Sequence, residues 1–291
     1  MKPPPFVYHA PTSLGEAHAT LATLGDEARI LAGGQSLVPL MNFRLATPAH
    51  LVDINRINEL EYLRGENGWL AIGARVRQST LERSADAAEQ CPLLTEAVRL
   101  VGHPTIRHRG TVCGSVAHAD PSAELPAALM ALDAEVVLTS QQGERAQPIA
   151  DFLQGALTTT IQPGELLKEV RVKRREGPYA FVEYSHRHGD YAIAGAAVQL
   201  HLRADSQVID DAAIVLCGVS DRPVRARKAE QVLLGAQGLP DERAAAAEAA
   251  VEGLTPNSDL QGSAEYRRRI ARACVRRALD QALDRAHGGI A

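Results

Sequence analysis

The chain has 291 residues, of which 45% are hydrophobic and 23% are charged. This length exceeds what one hydrophobic core normally serves, so we expect two or three domains, and the composition excludes a disordered, collagen-like or coiled-coil protein. The 31 lysines and arginines against 35 aspartates and glutamates leave a net charge of -4, which disfavours nucleic acid or an acidic membrane surface as a partner.

The first 57 residues are predicted to form a compact βαβ-like lobe. Apolar residues recur with helical spacing up to Leu24, and a short apolar segment then runs into two glycines. In chain order, the predicted elements are a helix over 13–24 with Ser13 as its N-cap, a strand over 28–32, a turn at Gly33-Gly34, a short helix capped by Ser36, and a strand over 50–54.

Residues 58–177 are predicted to form a second lobe of mixed helix and sheet. Its predicted elements are a strand over 69–74, helices over 78–88 and 93–101, a loop rich in glycine and proline over 102–126, a buried helix over 127–132, and a hairpin that pairs 135–140 with 145–149.

The last predicted domain, 178–291, changes to long runs typical of strands and then to helices. The predicted strands cover 179–185, 192–202 and 208–219, with a tight turn near 188–190, and the predicted helices cover 224–234, 241–251 and 264–286. The chain is therefore predicted to have an α+β fold whose C-terminal domain combines an antiparallel sheet with helices.

Two glycine-containing turns about 80 residues apart carry the sharpest chemical signal, Ala32 to Ser36 and Thr111 to Ser115. Glycine lets backbone N–H groups approach a phosphate closely, and hydroxyl groups add directional hydrogen bonds. Either turn alone is more often an ordinary strand-to-helix connection. Together they favour a phosphate-containing ligand.

A classical dinucleotide-binding fold is disfavoured, although Asp53 follows Gly33 by the roughly 20 residues expected of a ribose-binding acid. The glycines of the first turn are adjacent, no third glycine follows, and Pro39 and Pro48 shorten the helix.

The segment from His118 to Pro126 places an imidazole and the carboxylates of Asp120 and Glu124 within seven residues. These carboxylates could accept hydrogen bonds from sugar or ribityl hydroxyls. Helix capping by Asp120, Ser122 and Glu124 explains the same residues without a ligand, and this segment alone does not separate the two interpretations.

Metal binding and nucleophilic hydrolysis have little support. The four cysteines, at 91, 113, 217 and 274, never form C-x-x-C, so we expect reduced thiols and no iron–sulfur or zinc site. The histidines at 103, 108, 118, 186 and 188 lack the spacing of a metal site and are predicted to lie in exposed loops. Neither a signal peptide nor a membrane span is recognisable, which predicts a cytoplasmic protein.

Four motifs in this order resemble one family, the FAD-binding medium subunit of molybdenum hydroxylases, as in bacterial carbon monoxide dehydrogenases and the flavin segment of xanthine dehydrogenase. The motifs are Ala32 to Pro39, Asp53 to Asn55, Ile106 to Pro121, and Gly189 to Ala192. The resemblance covers essentially the whole chain.

The resemblance implies a two-lobed FAD-binding fold of the vanillyl-alcohol-oxidase type, followed by the C-terminal domain, with FAD between the first two lobes. The first glycine turn would hold the pyrophosphate, the second would wrap the other side of the cofactor, and Glu124 would bind its hydroxyls. The implied cofactor-binding residues are Leu31, Ala32, Gly33, Gly34, Gln35, Ser36, Leu37, Val101, Thr111, Cys113, Gly114, Ser115, His118, Asp120, Glu124, Leu167 and Tyr191.

Within this set, Val101 and Leu167 match positions that pack on the flavin or adenine, and Tyr191 resembles an aromatic residue beside the isoalloxazine. An aromatic residue in a strand pair is, however, more often part of a core. Cys113 stands where the family often has glycine, which would strain the backbone if the position required a positive φ. Glu124 stands where relatives often carry aspartate.

The resemblance implies that this chain is the subunit through which electrons leave the complex. In this family, the substrate is hydroxylated at a molybdenum centre in a large subunit, and electrons pass through two [2Fe-2S] clusters of a small subunit to FAD. The resemblance therefore implies both partners, as a dimer of heterotrimers, and no catalytic acid, base or metal ligand in this chain. A flavin-free structural or assembly subunit and a stand-alone FAD oxidoreductase are the alternatives. The substrate (carbon monoxide, an aldehyde, a purine or another N-heterocycle) and the acceptor (quinone, NAD or oxygen) stay open.

Overall fold

The computed structural model describes residues 2–204 and 207–286; the remaining positions, including the end of the predicted last domain, lie outside the described residues. The strands are β1 (Val7–His9), β2 (Ala28–Leu31), β3 (His50–Asp53), β4 (Leu63–Glu66), β5 (Trp69–Gly73), β6 (Glu135–Ser140), β7 (Gly143–Pro148), β8 (Leu153–Gly155), β9 (Thr158–Thr159), β10 (Leu166–Lys173), β11 (Tyr179–Tyr184), β12 (Ala194–Leu202), β13 (Ile209–Cys217) and β14 (Val224–Arg225). The helices are α1 (Leu14–Leu24), α2 (Leu37–Asn42), α3 (Gln78–Arg83), α4 (Ala85–Gln90), α5 (Pro92–Leu100), α6 (Pro104–Arg107), α7 (Val112–His118), α8 (Glu124–Ala131), α9 (Ile149–Phe152), α10 (Arg227–Leu233), α11 (Pro240–Ala250) and α12 (Ala264–Ala286).

The N-terminal part contains a small parallel sheet with the strand order β1-β3-β2. The predicted first helix is confirmed, and the Ser13 hydroxyl caps it by accepting a hydrogen bond from the Glu16 amide at 3.2 Å. Strand β1 was not predicted, because its three residues are too few to show a periodic pattern.

The middle part is built on an antiparallel sheet with the order β4-β5-β10-β6-β7. The predicted hairpin is confirmed as β6 and β7, whereas the central strand β10 was missed. Charged residues occur along β10, which hides its buried character in the sequence. They are paired inside the sheet: Arg171 donates to Glu135 at 2.6 Å, and Glu169 accepts from the Tyr62 hydroxyl at 2.7 Å.

Two helical predictions in this part need correction. The segment 102–126, predicted as a loop, contains α6, α7 and the start of α8, because a helix of four to seven residues is too short for a periodic signal. The single helix predicted over 78–88 is divided at Ser84, whose extended ψ of 116° ends α3 while its hydroxyl caps α4 by accepting from the Ala87 amide.

The C-terminal part contains an antiparallel sheet with the order β11-β12-β13-β14, which confirms the three predicted strands. The helix predicted over 224–234 was wrong at its start, since Val224 and Arg225 pair with β13 and the helix begins at Arg227. The last helix, α12, has the predicted bounds.

Both faces of this C-terminal sheet are buried, and the alternation along β13 shows how. Ala213, Val215 and Cys217 belong to the core shared with the N-terminal and middle parts. Their neighbours Ala212, Ile214 and Leu216 belong to a second core, formed with α10, α11 and α12. The C-terminal sheet is therefore packed directly against the middle part of the molecule.

We propose domain boundaries after residues 57 and 177, since these positions fall between β3 and β4 and between β10 and β11. Among the described residues, no helix has the length and apolar character required to cross a membrane.

Candidate functional site

A cavity of about 960 Å³ lies between the N-terminal and middle parts of the molecule. Small-molecule sites typically occupy roughly 300–1,000 Å³, so this cavity can hold an extended cofactor. All of the candidate residues except Leu31 line it: Ala32, Gly33, Gly34, Gln35, Ser36, Leu37, Val101, Thr111, Cys113, Gly114, Ser115, His118, Asp120, Glu124, Leu167 and Tyr191. Leu31 lies in β2 behind the first turn, where its Cδ1 packs close to Gly34.

The first glycine turn connects β2 to α2. Gly34 has a φ of +73°, a left-handed conformation that glycine adopts without steric cost. Ser36 occupies the predicted N-cap position, but its hydroxyl makes no capping bond, so it is free for a ligand. In the part of the chain that the structure describes, the backbone amides of Gly34, Gln35 and Ser36 donate no hydrogen bond to another protein group, although the Gln35 side-chain amide donates to the Gly33 carbonyl at 3.2 Å. The turn therefore offers unused donors to the cavity.

The second turn forms the start of α7 instead of a free loop. Thr111 is the N-cap, and its side-chain oxygen accepts from the Gly114 amide at 3.0 Å. Cys113 lies inside the helix and is not among the residues with positive φ, so the cysteine causes no backbone strain. Its thiol donates to the Ile72 carbonyl at 3.4 Å, and burial raises the pKa of this thiol far above its usual range. Cys113 is thus a packed, protonated wall residue.

The two turns touch each other at Gly33. A Cβ atom at this position would lie 2.6 Å from the Arg109 carbonyl oxygen and 2.7 Å from the Gly110 Cα. Only glycine permits this approach, because both neighbours are backbone atoms. The amides of one turn therefore lie beside the helix N-terminus of the other.

Asp53 plays a different part from the ribose-binding acid considered above. Its carboxylate accepts from the Tyr8 hydroxyl at 2.5 Å and from the Asn55 amide at 2.8 Å, and it is not among the cavity walls. The acid following the first turn is therefore a structural residue of the N-terminal sheet.

The acidic segment supplies a buried carboxyl group to the cavity. Asp120 closes a local turn by accepting from the Ser122 amide at 2.9 Å, and the N-cap position of α8 is Ala123, without a side-chain bond. Glu124 is only 6% exposed, and within the described chain no other residue donates a hydrogen bond to its carboxyl group. Burial, reinforced by the Asp120 charge, raises its pKa to about 7. Among the described residues, the predicted capping of this helix by Asp120, Ser122 and Glu124 is therefore not found: Asp120 closes a turn before the helix, and Glu124 faces the cavity.

Burial also lowers the pKa of His118, which ends α7 and faces the same cavity. A neutral imidazole is favoured there. The prediction of an exposed loop is therefore wrong for His118, whereas the histidines at 103, 108, 186 and 188 are exposed, as predicted. Among residues 2–204 and 207–286, no cluster of three or more histidine, cysteine or acidic side chains is placed to hold a metal ion.

Apolar and aromatic surface completes the walls. Val101 ends α5, and Leu167 lies on β10 with 5% exposure. Tyr191 follows the turn between β11 and β12 and is 54% exposed, so it is not a core residue of a strand pair. Burial of its hydroxyl group, together with the charges of Asp120 and Glu124, raises the pKa of Tyr191.

These features fit FAD. Unused backbone amides at the first turn and hydroxyls at both turns match an anionic diphosphate. A buried carboxyl group that receives no hydrogen bond from another described residue matches sugar or ribityl hydroxyls, and apolar side chains match aromatic rings. Arg29 is the one lysine or arginine among the described walls, and it already donates to the Asp26 and Ala28 carbonyls. A diphosphate would therefore be held mainly by backbone groups.

Comparison with known families decides the assignment. Residues 4–173 match the model described as the FAD binding domain in molybdopterin dehydrogenase, and residues 179–282 match the CO dehydrogenase flavoprotein C-terminal domain. The chain belongs to the FAD-binding medium subunits of molybdenum hydroxylases.

The similarity of this flavin subunit to characterised relatives extends over nearly the full length. It is 45% identical to 6-hydroxypseudooxynicotine dehydrogenase complex subunit alpha of Paenarthrobacter nicotinovorans, over 98% of this chain and 97% of the relative. It is 41% identical to caffeine dehydrogenase subunit beta of Pseudomonas sp. strain CBB1, with the same coverage. A solved structure of carbon monoxide dehydrogenase from Hydrogenophaga pseudoflava aligns with a TM-score of 0.94 and 39% identity, covering 98% of this chain and 99% of that one.

Several wall residues of the flavin subunit escaped the sequence analysis. Gln78 is 4% exposed, and its side-chain oxygen has no hydrogen-bond partner in the described chain. The segment 157–167, between α9 and the middle of β10, also contributes, as does Ile54. Ile54 belongs to the Asp53 to Asn55 motif and Leu167 is a predicted site residue, whereas the others belong to no recognisable motif and only the fold brings them to the cavity.

Proposed function

We propose that this chain carries FAD in a molybdenum hydroxylase, accepts electrons from iron–sulfur clusters of a small subunit, and passes them to an external acceptor. The observation that carries the proposal is the meeting of two glycine turns in one cavity, where the first turn offers unused backbone amides. The family match over most of the chain supports this interpretation.

The diphosphate is held by the two turns in this proposal. The amides of Gly34, Gln35 and Ser36 have no protein acceptor in the described chain, and the Ser36 hydroxyl is not used for capping. Ser115 adds a hydroxyl group from α7. Oriented N–H groups bind an anion without the flexibility of lysine or arginine side chains.

The hydroxyl groups of the cofactor are assigned to Glu124, with Asp120 beside it. A hydroxyl donor would add a hydrogen bond to the Glu124 carboxyl group, which receives one from its own backbone amide but none from another described residue. Such a bond favours the charged form of the carboxyl group and would offset part of the effect of burial on its pKa.

The flavin ring is assigned to the surface of Val101, Leu167 and Tyr191. When bound, FAD supplies the redox chemistry that joins the electron donor to the acceptor. The side chains of this chain position and shield the ring. Because Tyr191 is half exposed at the cavity wall, it is also the residue that an approaching acceptor would meet.

Because this chain is assigned only the flavin step, the other redox centres must belong to partner subunits. We propose a large subunit with the molybdenum cofactor and a small subunit with the [2Fe-2S] clusters, assembled as a dimer of heterotrimers. All four cysteines of this chain are free and buried, which supports placing the clusters in a partner and the protein in the cytoplasm.

The flavin-free alternative depended on a strained Cys113. Since Cys113 lies in helix α7 without a positive φ, that reason no longer applies.

The test is to isolate the native complex that contains this chain, release its non-covalent cofactor by mild denaturation, and quantify flavin, iron and molybdenum. We expect one FAD per chain, together with iron and molybdenum in the partner subunits. Iron and molybdenum without flavin would instead support a structural subunit. An isolated chain that oxidises a substrate by itself would support the stand-alone oxidoreductase.

A further inference from the structure

The two glycine turns belong to different parts of the chain, and their relative position must be fixed by contacts between those parts. The second turn is anchored to the middle part by backbone bonds, from the Gln78 amide to the Gly110 carbonyl at 2.9 Å and from the Val112 amide to the Val76 carbonyl at 3.1 Å. The first turn needs a separate connection, because a glycine contact such as that at Gly33 permits approach but does not hold the turns together.

Asn55 provides the connection on the side of the first turn. Its amide group donates to the Ala32 carbonyl at 2.8 Å, and Asp53 orients the residue by accepting from its backbone amide and from its side chain, the latter at 2.5 Å. Asn55 therefore links the end of β3 to the start of the first turn.

Arg77 continues this connection to the second turn. One terminal nitrogen of its guanidinium donates to the Asn55 side-chain oxygen at 2.5 Å, and the other donates to the Arg109 carbonyl. The same carbonyl oxygen lies against Gly33. A planar guanidinium can make both bonds at once, because its two terminal nitrogens point in different directions. A lysine side chain has a single nitrogen and cannot reproduce this geometry.

We propose that Asn55 and Arg77 form a clamp, the Asn55–Arg77 clamp, that fixes the spacing of the two turns and thereby sets the affinity for the diphosphate of FAD. This inference rests on the proposed function. Neither residue is among the cavity walls, so both act by positioning the turns and do not contact the ligand. Because folding already fixes the two turns in position, the binding of FAD does not have to supply the free energy of ordering them.

A matched control is available two residues away. Arg75 donates to the Asn58 side-chain oxygen at 3.0 Å and pairs with Glu61 at 2.9 Å, and neither partner belongs to a glycine turn. Removing Arg75 therefore deletes an arginine with two polar contacts from the same segment without touching the clamp.

The experiment compares the full-length chain and its Arg77→Ala, Arg77→Lys, Asn55→Ala and Arg75→Ala variants. Each is freed of flavin and titrated with FAD, and its thermal unfolding and the amide hydrogen exchange of residues 32–36 and 111–115 are measured. Hydrogen exchange separates local loosening of the turns from a loss of global stability.

We expect Arg77→Ala and Asn55→Ala to raise the dissociation constant for FAD by roughly 10- to 100-fold and to accelerate exchange in both turns, as hydrogen bonds to a charged group predict. A variant that carries both Asn55→Ala and Arg77→Ala should bind FAD no more weakly than the weaker of the two single variants, because both changes remove the same link. Arg75→Ala should keep the affinity of the unchanged chain.

Wild-type affinity in Arg77→Lys would overturn the clamp in favour of a simple charge effect. Unchanged affinity and exchange in Asn55→Ala would overturn it as well, and this variant remains informative if Arg77→Ala does not fold. If the unchanged chain itself binds no FAD, the proposed function fails, which is a distinct result.

Discussion

Substitution of Gly33 by alanine tests the central geometry of the site with a single methyl group. The new Cβ would lie 2.6 Å from the Arg109 carbonyl oxygen, whereas ordinary contacts begin at 3.4 Å. The difference, about 0.8 Å, must come from separating the two turns, since the neighbouring atoms belong to the backbone. The position has no positive φ, so steric contact alone is being tested.

Overpacking of this kind costs about 1–3 kcal/mol, which corresponds to roughly 5- to 150-fold in an equilibrium constant. We expect the cost to appear mainly as weaker FAD binding, because the separated turns must be drawn together again around the diphosphate. The assay is titration of the flavin-free chain with FAD, with thermal unfolding measured in parallel.

Gly15→Ala is the matched control, since a Cβ there has nothing within 4 Å and the residue lies in helix α1. This change should leave FAD affinity unaltered and stabilise the chain by about 0.5–1 kcal/mol. A Gly33→Ala chain that folds and binds FAD with wild-type affinity would refute the close approach of the turns and the role assigned to it.

Three further predictions concern other parts of the site. Burial raises the pKa of Glu124 to about 7 and, with help from the Glu124 charge, that of Glu183 to about 8, from 4.5. The folded, flavin-free chain therefore keeps protons that the unfolded chain releases, and it should lose of order 5 kcal/mol as pH rises from about 5 to 8; a Glu183→Gln variant should flatten this dependence in denaturant titrations, and equal slopes would contradict it. Tyr191→Ala should change the flavin potential or the rate with an acceptor, while its unfolding free energy stays within about 0.5 kcal/mol, as for exposed positions; a large loss of stability with unchanged flavin properties would favour a packing role. Arg107→Ala, which deprives the half-buried Glu82 carboxylate and two backbone carbonyls of their buried donor, should cost about 2–3 kcal/mol in chemical unfolding, against at most about 1 kcal/mol for the exposed Arg64→Ala; similar losses in both would refute this contrast.

Much of the fold could be read from local patterns. The first helix and its Ser13 cap, the β6–β7 hairpin, the strands of the C-terminal sheet and the last helix are all found where periodicity and turn residues predicted them. Local patterns failed where elements are short or where tertiary pairing hides their character. Helices α6 and α7 are too brief to show a period, and β10 carries charges that are neutralised only by neighbouring strands.

The sequence by itself determined the family, the two glycine turns and the acidic segment, because each is a contiguous motif whose residue types have local consequences. The tertiary structure decided how these motifs act together. The approach of Gly33 to Arg109, the link from Asn55 to Arg77, and the burial of Glu124 in the cavity wall all join or enclose residues that are distant in the chain. Such contacts depend on how the sheets and helices pack against one another, and packing at this scale is set by the whole core, so no local pattern encodes it.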